Sequence, residues 1–313
     1  MKFNKKFFIF LISSIVVYAI FLFVSDLNKL SDNIIDFKIE YLPLILSLVS
    51  AGWIALYFRW ILLLKNLDYS LPHKENFPIF LSGFALSVTP GKVGELLKSQ
   101  LLKKKFDLPI RISAPVILIE RFYNAIGIII ISIFGILVFD FSGIIILITT
   151  CILILIFFIL RSESLFHIFI QKISKINFLS KYSDSFMNSY DVIKESTKPR
   201  IFVISSILSA VYWIFESIAV YFILQSFGID LLDIFDVIPT YATSIILGVA
   251  SFIPGGIGVF EGTFTGLLNL QGLTLSTAAT LTIFIRLFTI WYSVIVGFFA
   301  LKLAGAFSYK LQN

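Results

Sequence analysis

The chain has 313 residues, of which 58% are hydrophobic and only 14% charged, and its mean hydropathy is +0.97. That composition excludes a water-soluble domain and predicts an all-α polytopic membrane protein with room for roughly six to eight elements of about 20 residues each. The net charge is +6, and the single cysteine, Cys151, excludes a disulfide framework and a cysteine-based metal site, while His73 and His167 match no metal-ligand spacing.

Basic residues before an apolar core at 7–25 resemble a secretory signal, but the core is long and has no clear small-residue cleavage site, so it reads as a retained first helix. An acidic loop with Asp26, Asp32, Asp36 and Glu40 follows, and a second helix over 42–64 returns to Arg59 and Lys65. Arg59 reads as an anchor whose side chain extends to the interface. The next apolar piece, 77–102, is broken at Pro90-Gly91 into arms too short to span. Both its ends lie near basic residues, which predicts a re-entrant hairpin dipping from the cytoplasmic side.

A third helix over 113–139 carries Glu120-Arg121, and a fourth over 143–160 returns to Arg161. The loop 161–200 holds Lys172, Lys175, Lys181, Lys194, Lys198 and Arg200, which places it in the cytoplasm. Its portion 166–176 has the amphipathic spacing of a segment lying on the membrane surface. A fifth helix over 201–226 leads to Asp230, Asp233 and Asp236. The second broken piece, 237–270, then dips from the outside, and a sixth helix over 275–302 returns to Lys302 and Lys310. The expectation is a single membrane domain of about six spanning helices plus two re-entrant hairpins, arranged as an inverted-topology repeat with halves 1–140 and 141–313. Both termini are expected in the cytoplasm and the protein in the cell membrane.

The hairpin motifs carry the chemistry. Pro90-Gly91-Lys92-Val93-Gly94-Glu95 is followed 31 residues after Pro90 by Arg121, and Pro254-Gly255-Gly256-Ile257-Gly258-Val259-Phe260-Glu261 is followed 32 residues after Pro254 by Arg286. Proline stops a helix and glycine permits a sharp reversal, so each motif begins a new helical arm at membrane depth. The free N–H groups and positive dipole end of such an arm suit a phosphate or carboxylate, although a tight turn without a ligand has the same sequence needs. Arginine inside an apolar helix is costly unless paired or hydrated. The candidate partners are Glu95, Glu120, Glu216 and Glu261. Two readings stay open: the glutamates neutralise Arg121 and Arg286 as structural glue, or Lys92, Arg121 and Arg286 hold an anionic head group while the glutamates restrain them between substrate visits. Trp53, Trp60, Trp213 and Trp291 read as packing or interface residues.

With its two spaced motifs, the chain resembles, over about residues 5–305, the flippase-like membrane family found as the transmembrane region of lysylphosphatidylglycerol synthase. That resemblance implies translocation or handling of a phospholipid or a polyprenyl-phosphate-linked lipid. It also implies a possible membrane glycosyltransferase or aminoacyltransferase partner, to which the chain would present lipid as an accessory subunit in the rival reading. No hydrolase elbow, nucleotide-binding loop or metal triad is present, so the expectation is a transporter rather than an enzyme, with no cofactor and no nucleic-acid partner.

Overall fold

The computed structural model describes residues 37–89, 95–133, 142–174, 189–251 and 253–305. The expected first helix at 7–25 lies outside them. Every regular element among the described residues is helical. A 3₁₀ turn at Ile39–Tyr41 leads into α1 (Leu42–Lys65), which has Pro43 in its first turn and Lys65 in its last, both favourable at those ends. Then follow α2 (His73–Ser82) with a 3₁₀ extension Gly83–Leu86, α3 (Leu97–Phe106) and α4 (Ile110–Ser132). Beyond them come α5 (Ser142–Arg161), α6 (Glu163–Ser174), α7 (Tyr190–Ser196) and α8 (Pro199–Ser226). The last four are α9 (Ile234–Ala250), α10 (Val259–Leu270), α11 (Leu275–Arg286) and α12 (Tyr292–Leu303), the final pair joined by a π-helical turn at Leu287–Trp291.

Among the described residues four stretches are long and apolar enough to cross a membrane on their own: Ile39–Lys65, Ile110–Ser132, Pro199–Ser226 and Leu275–Leu303. A fifth arises if α5 and α6 count together, and these are bent by 105° at Ser162, whose Oγ accepts from the Leu165 N–H at 3.4 Å. The chain is therefore a multi-pass membrane protein. The turn of α6 away from α5 is the geometry a surface-lying segment requires, and Leu165, Ile168 and Phe169 remain exposed on it.

The broken segments are helical hairpins. In the second, Asp233 caps α9 by accepting from the Phe235 and Asp236 N–H groups. The start of α9 meets the end of α10 through Thr240 and Gln271, whose Oγ1 and Oε1 are 3.2 Å apart. Tyr241 on α9 packs edge-on against Phe260 and Phe264 on α10. At the tip Gly255, Gly256 and Gly258 all have φ between 62° and 88°, a region in which a Cβ is strained. The arm α10 has 12 residues, about 18 Å long at 1.5 Å per residue, against an apolar layer of about 30 Å. In the first hairpin α2 and α3 have 10 residues each, about 15 Å by the same measure.

The two hairpins approach from opposite ends of one central helix pair, α1 and α8. Leu56 to Leu64 of α1 and Ile201 of α8 share a core with Ile79, Phe80, Leu101 and Leu102 of the first hairpin. Ile45 to Trp53 of α1 and Ala219 to Leu224 of α8 share a separate core with Val237, Tyr241, Phe260 and Phe264 of the second. The tip of the second hairpin reaches the first at Val88, whose Cγ1 would lie 3.8 Å from a Cβ on Gly255.

Candidate functional site

Each hairpin delivers one buried carboxylate to an arginine on the helix that follows it. On the first, Glu95 accepts from Arg121 Nη2 of α4. On the second, Glu261 Oε1 accepts from Arg286 Nε at 2.7 Å, and Arg286 Nη2 donates to the Gly255 carbonyl at 3.0 Å. The Arg286 guanidinium also lies over the Phe260 ring, with its central carbon 3.9 Å from the centroid. The π turn begins immediately after Arg286, an irregularity common beside functional residues.

The surroundings of the two pairs differ. Around Arg121 the structure gathers a network that includes Lys98 and Arg59. Lys98, on α3, is only 2% exposed; its ammonium donates to Glu120 Oε2 at 2.6 Å, lies 3.9 Å from Glu95, and sits 4.5 Å from the Trp60 ring centroid. Arg59 was expected at the interface, but it is 1% exposed, its Nη2 lies 3.6 Å from Glu120, and its Nη1 donates to Asn124 Oδ1 at 2.5 Å and Ser209 Oγ at 2.6 Å. The physical reason is the close crossing of α4 and α8. A Cβ on Gly127 would fall 2.6 Å from the Ser209 carbonyl carbon, so these helices approach tightly enough to enclose the guanidinium. Trp213 Nε1 donates to the Asn124 carbonyl at 2.9 Å and locks the same crossing.

Of the expected partners, Glu95 takes Arg121, Glu261 takes Arg286, and Glu120 takes Lys98 with Arg59. Glu216, on α8, is buried and accepts from the Tyr241 hydroxyl at 2.8 Å. Tyr241 in turn touches Phe260, so Glu216 stands beside the second pair. Pro90, Gly91, Lys92 and Gly94 lie outside the described residues. Pro254, Gly255, Gly256 and Gly258 form the second tip.

The expectation of free N–H groups at the new arm needs correction on the second hairpin. The Gly258 N–H donates to Glu261 Oε2 at 2.6 Å, so the chain's own carboxylate already sits at the start of α10. The spacing of three residues lets a glutamate reach back over the first turn. Trp53, Trp60 and Trp213 are packing residues: Trp53 stacks on Tyr292 at 4.9 Å, and Trp60 Nε1 donates to Asn76 Oδ1 at 3.0 Å. Lys98 and Asn124 were not singled out from sequence. Lys98 stands in a lysine-rich stretch that reads as a topology signal, and Asn124 carries no motif.

Arg121 remains 26% exposed while Arg286 is 2% exposed, so the first pair is the more accessible. Among the described residues no group of three or more His, Cys, Asp and Glu side chains could hold a metal ion.

The sequence profile of the lysylphosphatidylglycerol synthase TM region matches residues 10–297. Two curated relatives are UPF0104 membrane proteins of Methanocaldococcus jannaschii. One is 27% identical over 68% of this chain and 91% of its own length, the other 24% identical over 96% and 95%. No solved structure matches. With that profile covering nearly the whole length, the chain belongs to the family of the lysylphosphatidylglycerol synthase TM region.

Proposed function

We propose that the protein moves a phosphate-bearing lipid, a phospholipid or a polyprenyl-phosphate-linked precursor, between the leaflets of the cell membrane. The observation that carries this reading is the matched pair Glu95–Arg121 and Glu261–Arg286, mounted on hairpins that approach from opposite ends of α1 and α8, the second tip reaching Val88 of the first. Such an arrangement suits an inverted repeat with halves 1–140 and 141–313, in which one half rocks against the other and exposes a central site alternately to each face. Both termini then lie in the cytoplasm. In each half a carboxylate holds the place of the lipid phosphate. The phosphate displaces it from an arginine whose planar fork suits two parallel hydrogen bonds, while the hydrocarbon chains stay in the bilayer. The chain's role is transport without chemistry on the lipid.

The test is leaflet exchange of fluorescent lipids of several head groups in proteoliposomes. Arg286→Gln alone strands a buried carboxylate, so the paired change Glu261→Gln with Arg286→Gln is the second variant. We expect head-group-selective exchange by the native chain and its loss in both variants. Undiminished exchange in the folded double variant would mean that the pair is structural glue. No exchange by the folded native chain with any lipid would leave the accessory role, presenting lipid to a membrane glycosyltransferase or aminoacyltransferase.

A further inference from the structure

The turn joining α3 to α4 holds a second charged feature, separate from the buried pairs. A cavity of about 410 Å³ there is lined by Lys103, Asp107, Pro109, Ile110 and Arg111. Lys103 and Arg111 are exposed and come from different helices, and neither forms an ion pair among the described residues. Lysines at the end of α3 are explained by the negative end of a helix dipole and by topology. Topology covers Arg111 as well, but the helix dipole does not. Arg111 stands in the first turn of α4, at the positive end of a 23-residue helix that has no acidic residue in that turn and no side-chain cap. A cation there is unfavourable unless an anion accompanies it; the exposed Asp107 carboxylate lines the same cavity but lies in no ion pair among the described residues, so a bound phosphate would share the cavity with it.

The turn geometry does not demand the charges. The corresponding turn of the second hairpin, between α10 and α11, runs Gln271-Gly272-Leu273-Thr274 with no charged residue, and Thr274 Oγ1 caps α11 by accepting from the Thr277 N–H. The first turn also leads inward. Lys98 is five residues back along α3 from Lys103, a rise of about 7.5 Å, and Arg121 is ten residues on from Arg111, a rise of about 15 Å. Because α4 is a membrane-crossing helix, its first turn lies at the boundary between apolar layer and water, with Ile110 exposed beside the two cations.

We infer that Lys103 and Arg111 form a docking site for the phosphate of a lipid head group at the membrane surface, upstream of Lys98 and Arg121. This deepens the transport reading and rests on it for the role of the site, though not for the binding itself. The experiment titrates the purified full chain in detergent with phosphatidylglycerol, with uncharged diacylglycerol and with inorganic phosphate. It compares the native chain with Lys103→Gln/Arg111→Gln and with Lys104→Gln/Lys105→Gln, two pairs that remove the same charge from the same turn. Loss of two charge-assisted hydrogen bonds predicts about a hundredfold weaker phosphatidylglycerol binding for the cavity pair, with the neighbouring pair and diacylglycerol unaffected. Equal weakening by both pairs would reduce the effect to diffuse surface attraction and overturn the site. Inorganic phosphate bound as tightly as the lipid would overturn the lipid as ligand. Selective weakening by the cavity pair in a native chain that exchanges no lipid in vesicles would keep the docking site and remove the transport role. Normal exchange with a cavity pair that binds like the native chain would do the reverse.

Discussion

Lys98 Nζ donates to Glu120 Oε2 at 2.6 Å, and both side chains are almost wholly buried, on the second arm of the first hairpin and on α4. Glu120 also faces Arg59 on α1, so one carboxylate ties three separate elements together at membrane depth. This junction ties the first hairpin's second arm to α1 and α4, beside the apolar contacts of Leu101 and Leu102.

Removing the carboxylate therefore costs more than removing either cation. Glu120→Gln leaves Lys98 and Arg59 without their shared partner and is expected to destabilise by about 3–5 kcal/mol, the range for breaking a buried pair. Lys98→Met leaves Glu120 with Arg59 and is expected to cost less. Thermal unfolding in detergent gives the order, and a larger loss for Lys98→Met would refute the assignment of Glu120 as the hub.

Gly297 on α12 packs against the 3₁₀ extension of the first hairpin, where an added Cβ would lie 2.2 Å from the Ala85 nitrogen. The obstacle is backbone, which cannot rotate away. Gly297→Ala should destabilise by about 1–3 kcal/mol through overpacking. At Gly266 on α10 nothing lies within 4 Å of the added atom, so Gly266→Ala should stabilise by about 0.5–1 kcal/mol. Unfolding midpoints that move in the same direction for both would contradict the packing described.

Tyr241→Phe removes a donor to the buried Glu216 carboxylate without changing the ring that packs on Phe260 and Phe264. A hydrogen bond to a charged group is worth about 1.5–3 kcal/mol, and the loss should fall in that range. In a Glu216→Gln background the same substitution should cost markedly less. Equal costs in the two backgrounds would show that the hydroxyl acts elsewhere.

Arg121→Lys keeps the charge beside Glu95 and loses the planar fork. If the arginine holds a phosphate through two bonds, forfeiting one charge-assisted bond of at least about 1.4 kcal/mol slows lipid exchange about tenfold or more. Stability should change little, because Arg121 is partly exposed and Lys98 also lies near Glu95. Exchange at the native rate would remove Arg121 from the phosphate contacts.

Much of the architecture was legible in the chain itself. The helix expected over 42–64 is Leu42–Lys65, that over 201–226 is Pro199–Ser226, and that over 275–302 lies within Leu275–Leu303. Hydropathy and terminal lysines are local properties, and a 20-residue apolar run has few alternatives to a helix in a bilayer. The break at Pro254 was legible in the Pro-Gly-Gly run, where Gly255 and Gly256 adopt positive φ, whereas Pro78, Pro115 and Pro239 sit inside helices and proline alone does not mark a break. The Glu261 cap was within reach as well, three residues after Gly258.

Only the tertiary structure decided which charge meets which. Nothing in sequence distinguishes Arg59 at a snorkelling depth from Arg59 sealed between Asn124 and Ser209; the difference is the tight crossing of α4 and α8 at Gly127. Lys98 looks like its exposed neighbours Lys103 to Lys105 until the packing of α3 turns it onto Trp60 and Glu120. Pairing depends on helix rotation and on contacts between residues far apart in the chain. Those are set by how side chains interlock across helices, which local composition does not encode.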